Sequence, residues 1–334
     1  MSEIKYPVLR VPLEEGQKTL EYLKDRHLLD SKRKIETTPD ELIIPVTDED
    51  EANDYVKRVE TRKKRKTPYQ KIKEEANIPE ELKKLMPERY ERVGDVLFIK
   101  LPSELMTHKD EIGKAYADVL GMKSVLLQGD IKGQKRIPEV EFIYGDEGET
   151  IHVENGVEYK LDASKLMFSS GNIDERVRMA ELNVEDEVIV DMFAGIGYFS
   201  LPMAVHSSPE KILSLEINPL SFSYLRVNIG LNDVLGIIEA WNGDNRDFPK
   251  SNIADRIVMG YLHETWKFLP KALELLDDGG IIHYHSLCKD DEFPAKLEKE
   301  LDENICRDHE VMEHRKIKSY APHIFHTVSD IEIL

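Results

Sequence analysis

Cysteine is nearly absent: Cys288 and Cys306 are the only two in 334 residues. They match no metal-ligand spacing and no disulfide framework, so neither a zinc module nor a disulfide-stapled scaffold is expected. No apolar run approaches the roughly 20 residues that a membrane-spanning helix needs. The start, Met1-Ser2-Glu3-Ile4-Lys5, lacks the charged-then-apolar plan of a secretory leader. A cytoplasmic protein with no membrane partner is the expectation. Positive charge is also short. Lys and Arg number 46 against 65 Asp and Glu, a net charge of −19, which on total alone argues against a nucleic-acid partner. What the chain has is length for two or three domains and 40% hydrophobic residues for their cores. Its 33% charged residues exceed the usual quarter and suggest an ion-pair-laced surface.

The distribution of charge says more than its sum. Between 57 and 73 stand nine basic groups, among them Lys63, Lys64 and Arg65, with Glu60 as the one acid. Such a run is either a solvated linker or a phosphate-contacting stripe, and composition leaves both open. Before it, Val8 to Pro12 and Glu41 to Val46 read as strands around a helix from Gly16 to Arg26. After it, a helix is expected from Pro79 to Leu85 and another from His108 to Leu120, stopped by Gly121. Strands are expected at Val96 to Leu101, Val125 to Leu127, Val140 to Tyr144 and Thr150 to Val153. The expected organisation is a module over 1–55, a basic linker over 56–75, a middle α/β domain over 76–165 and a last domain over 166–334.

That last domain alternates short apolar strands with helices: strand Val188 to Val190, helix Phe199 to Val205, strand Lys211 to Leu215, helix Pro219 to Asn228, strand Arg256 to Met259, helix Thr265 to Leu276, strand Gly280 to Tyr284. The pattern predicts a parallel, Rossmann-like sheet covered on both faces, with ligands beyond the strand C-termini. The first strand runs into Asp191-Met192-Phe193-Ala194-Gly195-Ile196-Gly197, where glycines permit a tight turn and close backbone approach. Glu216 closes the next strand, 25 residues after Asp191, where a carboxylate can accept both hydroxyls of a ribose. Asp244, in Asn242-Gly243-Asp244-Asn245, suits an adenine end. Nicotinamide enzymes share the turn and the acid but usually carry a third glycine beside the pyrophosphate, a position that is Ser200 here. S-adenosylmethionine has no pyrophosphate, and its sulfonium would be favoured by a facing Asp191.

These residues resemble the tRNA (guanine-37, N1) methyltransferases and their wybutosine-pathway relatives, over nearly the whole chain. The resemblance rests on Phe168-Ser169-Ser170-Gly171-Asn172-Ile173-Asp174-Glu175-Arg176-Val177-Arg178, on Asp191 to Gly197, and on Leu28-Leu29-Asp30-Ser31-Lys32-Arg33-Lys34-Ile35 in the first module. It implies a class I methyltransferase-type fold and a tRNA-reading role for that module. Two features separate this chain from the methylating branch. Met259-Gly260-Tyr261 stands where an Asn-Leu-Pro-type turn is expected, and Phe-Ser-Ser-Gly-Asn where Phe-Ser-Pro-Arg is expected. Both resemble the aminocarboxypropyl-transferring branch, as do His263-Glu264-Thr265-Trp266 and His283-Tyr284-His285.

The resemblance implies transfer of a 3-amino-3-carboxypropyl group from S-adenosylmethionine to 4-demethylwyosine at position 37 of phenylalanine tRNA. Ser169 and Arg176 are then expected at the cofactor, Arg176 pairing with its carboxylate. Glu216 is expected at the ribose, and Asp244 with Asn245 at the adenine. A helix cap for Ser169 and a surface ion pair for Arg176 are the plainer alternatives. Tyr261, His263 and His283 are candidates for the tRNA base, as stacking or proton-handling groups; packing beneath the site for Tyr261 and a satisfied structural role for the histidines are the plainer alternatives. The histidines have no carboxylate or cysteine spaced for a metal, and none is expected. The rivals are a guanine-37 N1-methyltransferase and a tRNA-binding protein without activity. If the basic run contacts tRNA, replacing Lys63, Lys64 and Arg65 by Ala flattens the dependence of log affinity on log salt by up to about 2–3, at roughly 0.7–0.9 per contact. Cofactor binding stays unchanged. An unaltered salt slope returns the run to the status of a linker.

Overall fold

The computed structural model describes residues 6–56, 66–129 and 140–334. The chain divides into two compact units, Met1–Thr67 and Pro68–Leu334. Lys63, Lys64 and Arg65 lie outside the described residues.

The first unit is a four-stranded antiparallel sheet with one helix. Its strands are β1 (Tyr6–Pro12), β2 (Glu36–Thr37), β3 (Glu41–Pro45) and β4 (Asp54–Val56), in the order β2-β3-β1-β4. Helix α1 (Gly16–Asp25) buries Leu23 against Val11, Ile44 and Val46, a core as small as the unit.

The second unit begins with α2 (Pro68–Glu75), so the end of the expected linker is helical and buries Ile72. The strands β5 (Glu91–Val93), β6 (Val96–Ile99), β7 (Ser124–Gln128) and β8 (Val140–Tyr144) follow in a sheet of that order, with α3 (Lys109–Leu120) between β6 and β7. β6 shows why its run is apolar throughout. Leu97 and Ile99 face the core under α2 and α3, while Val96 and Phe98 face a second core shared with the last domain. The helix expected from Pro79 to Leu85 is only a 3-10 turn at Lys83–Leu85. Met86 precedes Pro87, which drives it to extended backbone (φ −60°, ψ 137°) and stops the helix.

Next come the hairpin β9 (Glu149–Glu154) and β10 (Val157–Asp162), then α4 (Ile173–Ala180). The main sheet contains β11 (Val188–Asp191), β12 (Lys211–Glu216), β13 (Ile238–Asn242), β14 (Ala254–Met259), β15 (Leu276–Lys289), β16 (His309–Ala321) and β17 (Ile324–Ile333). Its order is β13-β12-β11-β14-β15-β17-β16, parallel through β15, with β17 antiparallel to β15 and to β16. Helices α5 (Ser200–His206), α6 (Pro219–Leu231), α7 (Leu269–Leu275) and α8 (Ala295–Asn304) complete it. This is the expected Rossmann-like, methyltransferase-type arrangement. β11 leads to β12 on one side and pairs with β14 on the other, so the switch point lies between β11 and β14. No helix among the described residues is long and apolar enough to cross a membrane.

Packing crosses residue 165. One buried cluster includes Val96, Phe98 and Leu126 from the middle sheet, Tyr159 from β10, and Ile189, Phe199 and Ile229. Asn228 bolts the hairpin to this core. Fully buried on α6, it accepts from the Lys160 amide at 2.8 Å and donates to the Lys160 and Ile196 carbonyls at 3.2 and 3.1 Å. Asn228→Leu should destabilise the chain by about 1–3 kcal/mol for each backbone group left unpaired. Denaturant unfolding measures it, and a loss below 1 kcal/mol would mean that the hairpin docks by apolar packing alone.

Candidate cofactor and substrate site

The site is assembled where β11, β12, β13 and β14 end. After Asp191 the chain turns through Gly195 (φ +59°) and Gly197 (φ +102°), left-handed values that a side chain would strain. A Cβ on Gly195 would also lie 2.5 Å from the Tyr198 ring. The Ala194 amide donates to the Leu215 carbonyl at 3.0 Å and the Met192 amide to the Val258 carbonyl at 3.0 Å, tying the turn to both neighbouring strands.

Glu216 is the pivot. One carboxylate oxygen accepts from the Gly195 amide at 2.8 Å, the other from the Asn218 amide at 2.6 Å. Its carbonyl accepts from Asn242 Nδ2 at 2.7 Å and from the Gly243 amide at 3.1 Å, which brings the end of β13 alongside. Burial raises the carboxyl above its ordinary value against the lowering effect of those amides. The group is half-buried, immobile and has lone pairs left for ribose hydroxyls. Asn245 adds a second fitted atom. Its Nδ2 donates to the Met192 carbonyl at 2.8 Å, while its buried Oδ1 has no partner. An orphaned acceptor beside an apolar turn suits the amine of an adenine. Asp244 caps the turn that buries Asn245, and the Arg246 guanidinium holds its carboxyl below the ordinary value. At the position where a dinucleotide fold needs a third glycine, Ser200 is fully buried with its hydroxyl on Asp191. These residues fit the adenosine of S-adenosylmethionine and leave no cradle for a pyrophosphate.

Three side chains stand elsewhere than expected. Asp191 is fully buried, accepting from Ser200 Oγ at 2.7 Å and from the Phe193 amide at 3.2 Å. Burial pushes its carboxyl up to about 6, and both of its oxygens take part in organising the turn. Arg176, 2% exposed, forms a fork with Glu154 at 2.5 and 2.8 Å and donates to the Ser169 carbonyl at 3.0 Å, over the Phe168 ring. Although burial raises the Glu154 carboxyl, hydrogen bonds from His152 and Arg176 pull it down to about 2. Arg176 thus has an internal partner in Glu154, the last residue of β9, at the position where the resemblance implies a cofactor carboxylate.

His283, 1% exposed, lies between Arg256 (2.9 Å) and Asp330 (2.6 Å). Arginine can only donate, so Nε2 accepts and Nδ1–H donates to Asp330, and burial lowers the His283 pKa in the same sense. That makes it a neutral link between β14, β15 and β17, out of reach of a base. Among the described residues no group of three His, Cys, Asp or Glu could hold a metal ion.

The remaining candidates meet at the switch point. Tyr261 stacks on Phe193, centroids 5.0 Å apart and planes 12° apart, and meets Phe268 edge-on at 5.8 Å. His263 follows at 6.1 Å from Tyr261, and its Nε2 lies 3.4 Å from the Tyr320 hydroxyl on β16. On the other side, Lys318 of β16 donates to the Ser169 hydroxyl. Sequence reasoning named Phe193 only as part of the glycine turn and did not single out Lys318 or Tyr320. The last two lie in a strand whose alternation is broken by three register shifts.

Family models of known proteins match most of the chain. The family model for the TRM5/TYW2 methyltransferase domain matches residues 150–312, the TYW2 N-terminal domain matches 72–148, and the tRNA methyltransferase 5 N-terminal domain matches 9–54. A tRNA(Phe) (4-demethylwyosine(37)-C(7)) aminocarboxypropyltransferase of Pyrococcus horikoshii is 48% identical over 77% of this chain and 93% of that protein. The tRNA (guanine(37)-N(1))-methyltransferase Trm5b of Pyrococcus abyssi is 34% identical over 97% of this chain and 98% of its own length. The crystal structure of P. horikoshii TYW2 in complex with MeSAdo superposes with a TM-score of 0.74 at 44% identity, covering 80% of this chain and 99% of that one.

Two variants separate ligand contact from scaffold. Glu216→Ala should weaken S-adenosylmethionine binding by about 1.5–3 kcal/mol, the range for hydrogen bonds to a charged group. Arg176→Met should cost about 3–5 kcal/mol of stability, the range for breaking a buried pair, with little ligand-specific effect once folded. Calorimetry and denaturant unfolding on both variants check this; unchanged affinity in Glu216→Ala would remove that residue from the site.

Proposed function

The chain belongs to the TRM5/TYW2 family, and we propose that it acts on phenylalanine tRNA carrying 4-demethylwyosine at position 37, adding the 3-amino-3-carboxypropyl group of S-adenosylmethionine. S-adenosylmethionine supplies three carbons on one positive sulfur, and whichever lies in line with the nucleophile is the one transferred. For this product a carbon–carbon bond forms to a ring carbon of the base, the carbon–sulfur bond to the aminocarboxypropyl group breaks, and methylthioadenosine and a proton leave. No covalent enzyme intermediate is needed, so the protein's task is positioning.

Glu216 and Asn245 hold the adenosine end on the turn at Gly195. The choice of carbon falls to the turn after β14. There a Cβ on Gly260 would lie 2.9 Å from the Phe199 ring, so the turn has no room for a clamping side chain. The Tyr261 amide folds back on the Met259 carbonyl at 2.8 Å, and its ring is laid on Phe193. This bare turn is the observation that carries the reading: nothing at 260 presses the amino-acid tail aside to present the methyl group. Tyr261, His263 and Tyr320 then offer ring faces and edges for the tricyclic base.

Cofactor labelled separately in the methyl and the carboxyl carbon distinguishes the outcomes. With tRNA bearing 4-demethylwyosine, carboxyl label is expected in the tRNA and methyl label in released methylthioadenosine. With unmodified guanine at position 37, little label of either kind is expected. Methyl label in N1-methylguanine without carboxyl label would place the chain in the methylating branch, and no label in any tRNA would leave a binding protein.

A further inference from the structure

A ring carbon that gains an alkyl group must shed its proton, and that proton needs an acceptor. Acid–base groups around the β14 turn are engaged in the frame. Asp191 and Glu216 hold the glycine turn, and His283 joins Arg256 to Asp330. Glu175, 1% exposed, takes two guanidinium nitrogens of Arg178 at 2.6 and 2.9 Å. His285 is as deeply buried, behind the Phe199 ring. His263 is placed differently. It is half-buried on the loop after β14, and its hydrogen bond is a long one to a hydroxyl, Tyr320 Oη at 3.4 Å.

The loop is shaped to hold it. Buried Thr265 donates its hydroxyl to the Tyr261 carbonyl at 2.8 Å, closing a turn with His263 at its middle. Glu264 adopts left-handed backbone (φ 54°, ψ 38°), a conformation a side chain disfavours and its surroundings must impose. Its carboxylate is turned to Lys267 at 2.6 Å. The His263 ring stands 77° from the plane of Tyr261, so it adds no second parallel stacking face. Residues fitted to the adenosine end β12 and follow β13 on one side of this loop, while Tyr320 rises from β16 on the other.

We propose that His263 takes the proton from the ring carbon of the base as the aminocarboxypropyl group is added. The assignment rests on the aminocarboxypropyl transfer argued above. The new carbon–carbon bond uses a π pair of the base, the carbon–sulfur pair leaves with methylthioadenosine, and the carbon–hydrogen pair returns to the ring. The proton passes to an imidazole nitrogen and then to solvent, which a half-buried side chain can reach. Imidazole suits the task because it takes up and releases protons near neutral pH.

Single-turnover assays on the full chain, with carboxyl-labelled S-adenosylmethionine and tRNA bearing 4-demethylwyosine, test it. His263→Gln keeps a hydrogen-bonding side chain that cannot take up the proton, and its rate should fall roughly a hundredfold or more, within the span of general-base catalysis. Affinity for S-adenosylmethionine and for tRNA should be kept. Deuterium on the reacting ring carbon should slow the Gln variant and leave wild type nearly unchanged, because proton loss then limits the reaction. Free imidazole should restore activity to His263→Ala. A Gln variant at full rate would overturn the assignment. So would a slow variant with weakened tRNA binding, no isotope effect and no rescue, which would make His263 a structural or stacking group. Wild type that transfers methyl label to the tRNA instead would sink the underlying reaction, a result separate from any of these.

Discussion

The carboxylate of Glu216 ties together what the site is made of. It closes β12, takes the amide of Gly195 with one oxygen and that of Asn218 with the other, and its backbone carbonyl gathers the end of β13. A glycine turn alone would be free to open. Held by a carboxylate, it presents a fixed backbone surface, and the carboxylate is itself fixed by what it holds. The preorganisation matters because the reaction asks the protein for orientation more than for acid–base chemistry. It also explains why burial can raise this carboxyl without making the site unstable: two amide dipoles point at it.

Charges deeper in the fold serve the frame. Arg176 with Glu154, and the chain Glu187–Arg256–His283–Asp330 continuing to Arg178 and Glu175, pair buried ions that would be costly alone. Burial raises the Asp330 carboxyl, but His283 and the neighbouring arginines bring it down to about 2. Burial first, with His283 and Arg178 beside it, pushes the His285 pKa down to about 3 and holds it neutral.

The reacting end is shaped by what is small. Gly260 keeps the turn after β14 bare because Phe199 occupies the space a side chain would need, and Gly171 lets a lysine from the far end of the chain lie across its segment. In both places a missing side chain decides where a neighbour goes. Tyr261, laid flat on Phe193, has its ring fixed by that stack.

The sequence by itself determined the alternation of apolar strands and helices, and with it the parallel sheet, the glycine turn and the acid closing the next strand. Those are local facts: strand runs, left-handed glycines and strand-terminal residues follow from neighbours in the chain. It also carried, through resemblance, the choice of branch. It did not determine which charged residues face the ligand. Arg176, Asp191 and His283 carry the right chemistry at suggestive positions, yet each is consumed by a partner that the sequence does not place beside it, Glu154, Ser200 and Asp330 among them. Nor did it show β16, where bulges break the alternation and exposed charges hide a strand. Only the tertiary structure could bring Lys318 to Ser169 across 149 residues, because ion pairing and burial act through space and are settled by which surfaces the folded sheet brings together.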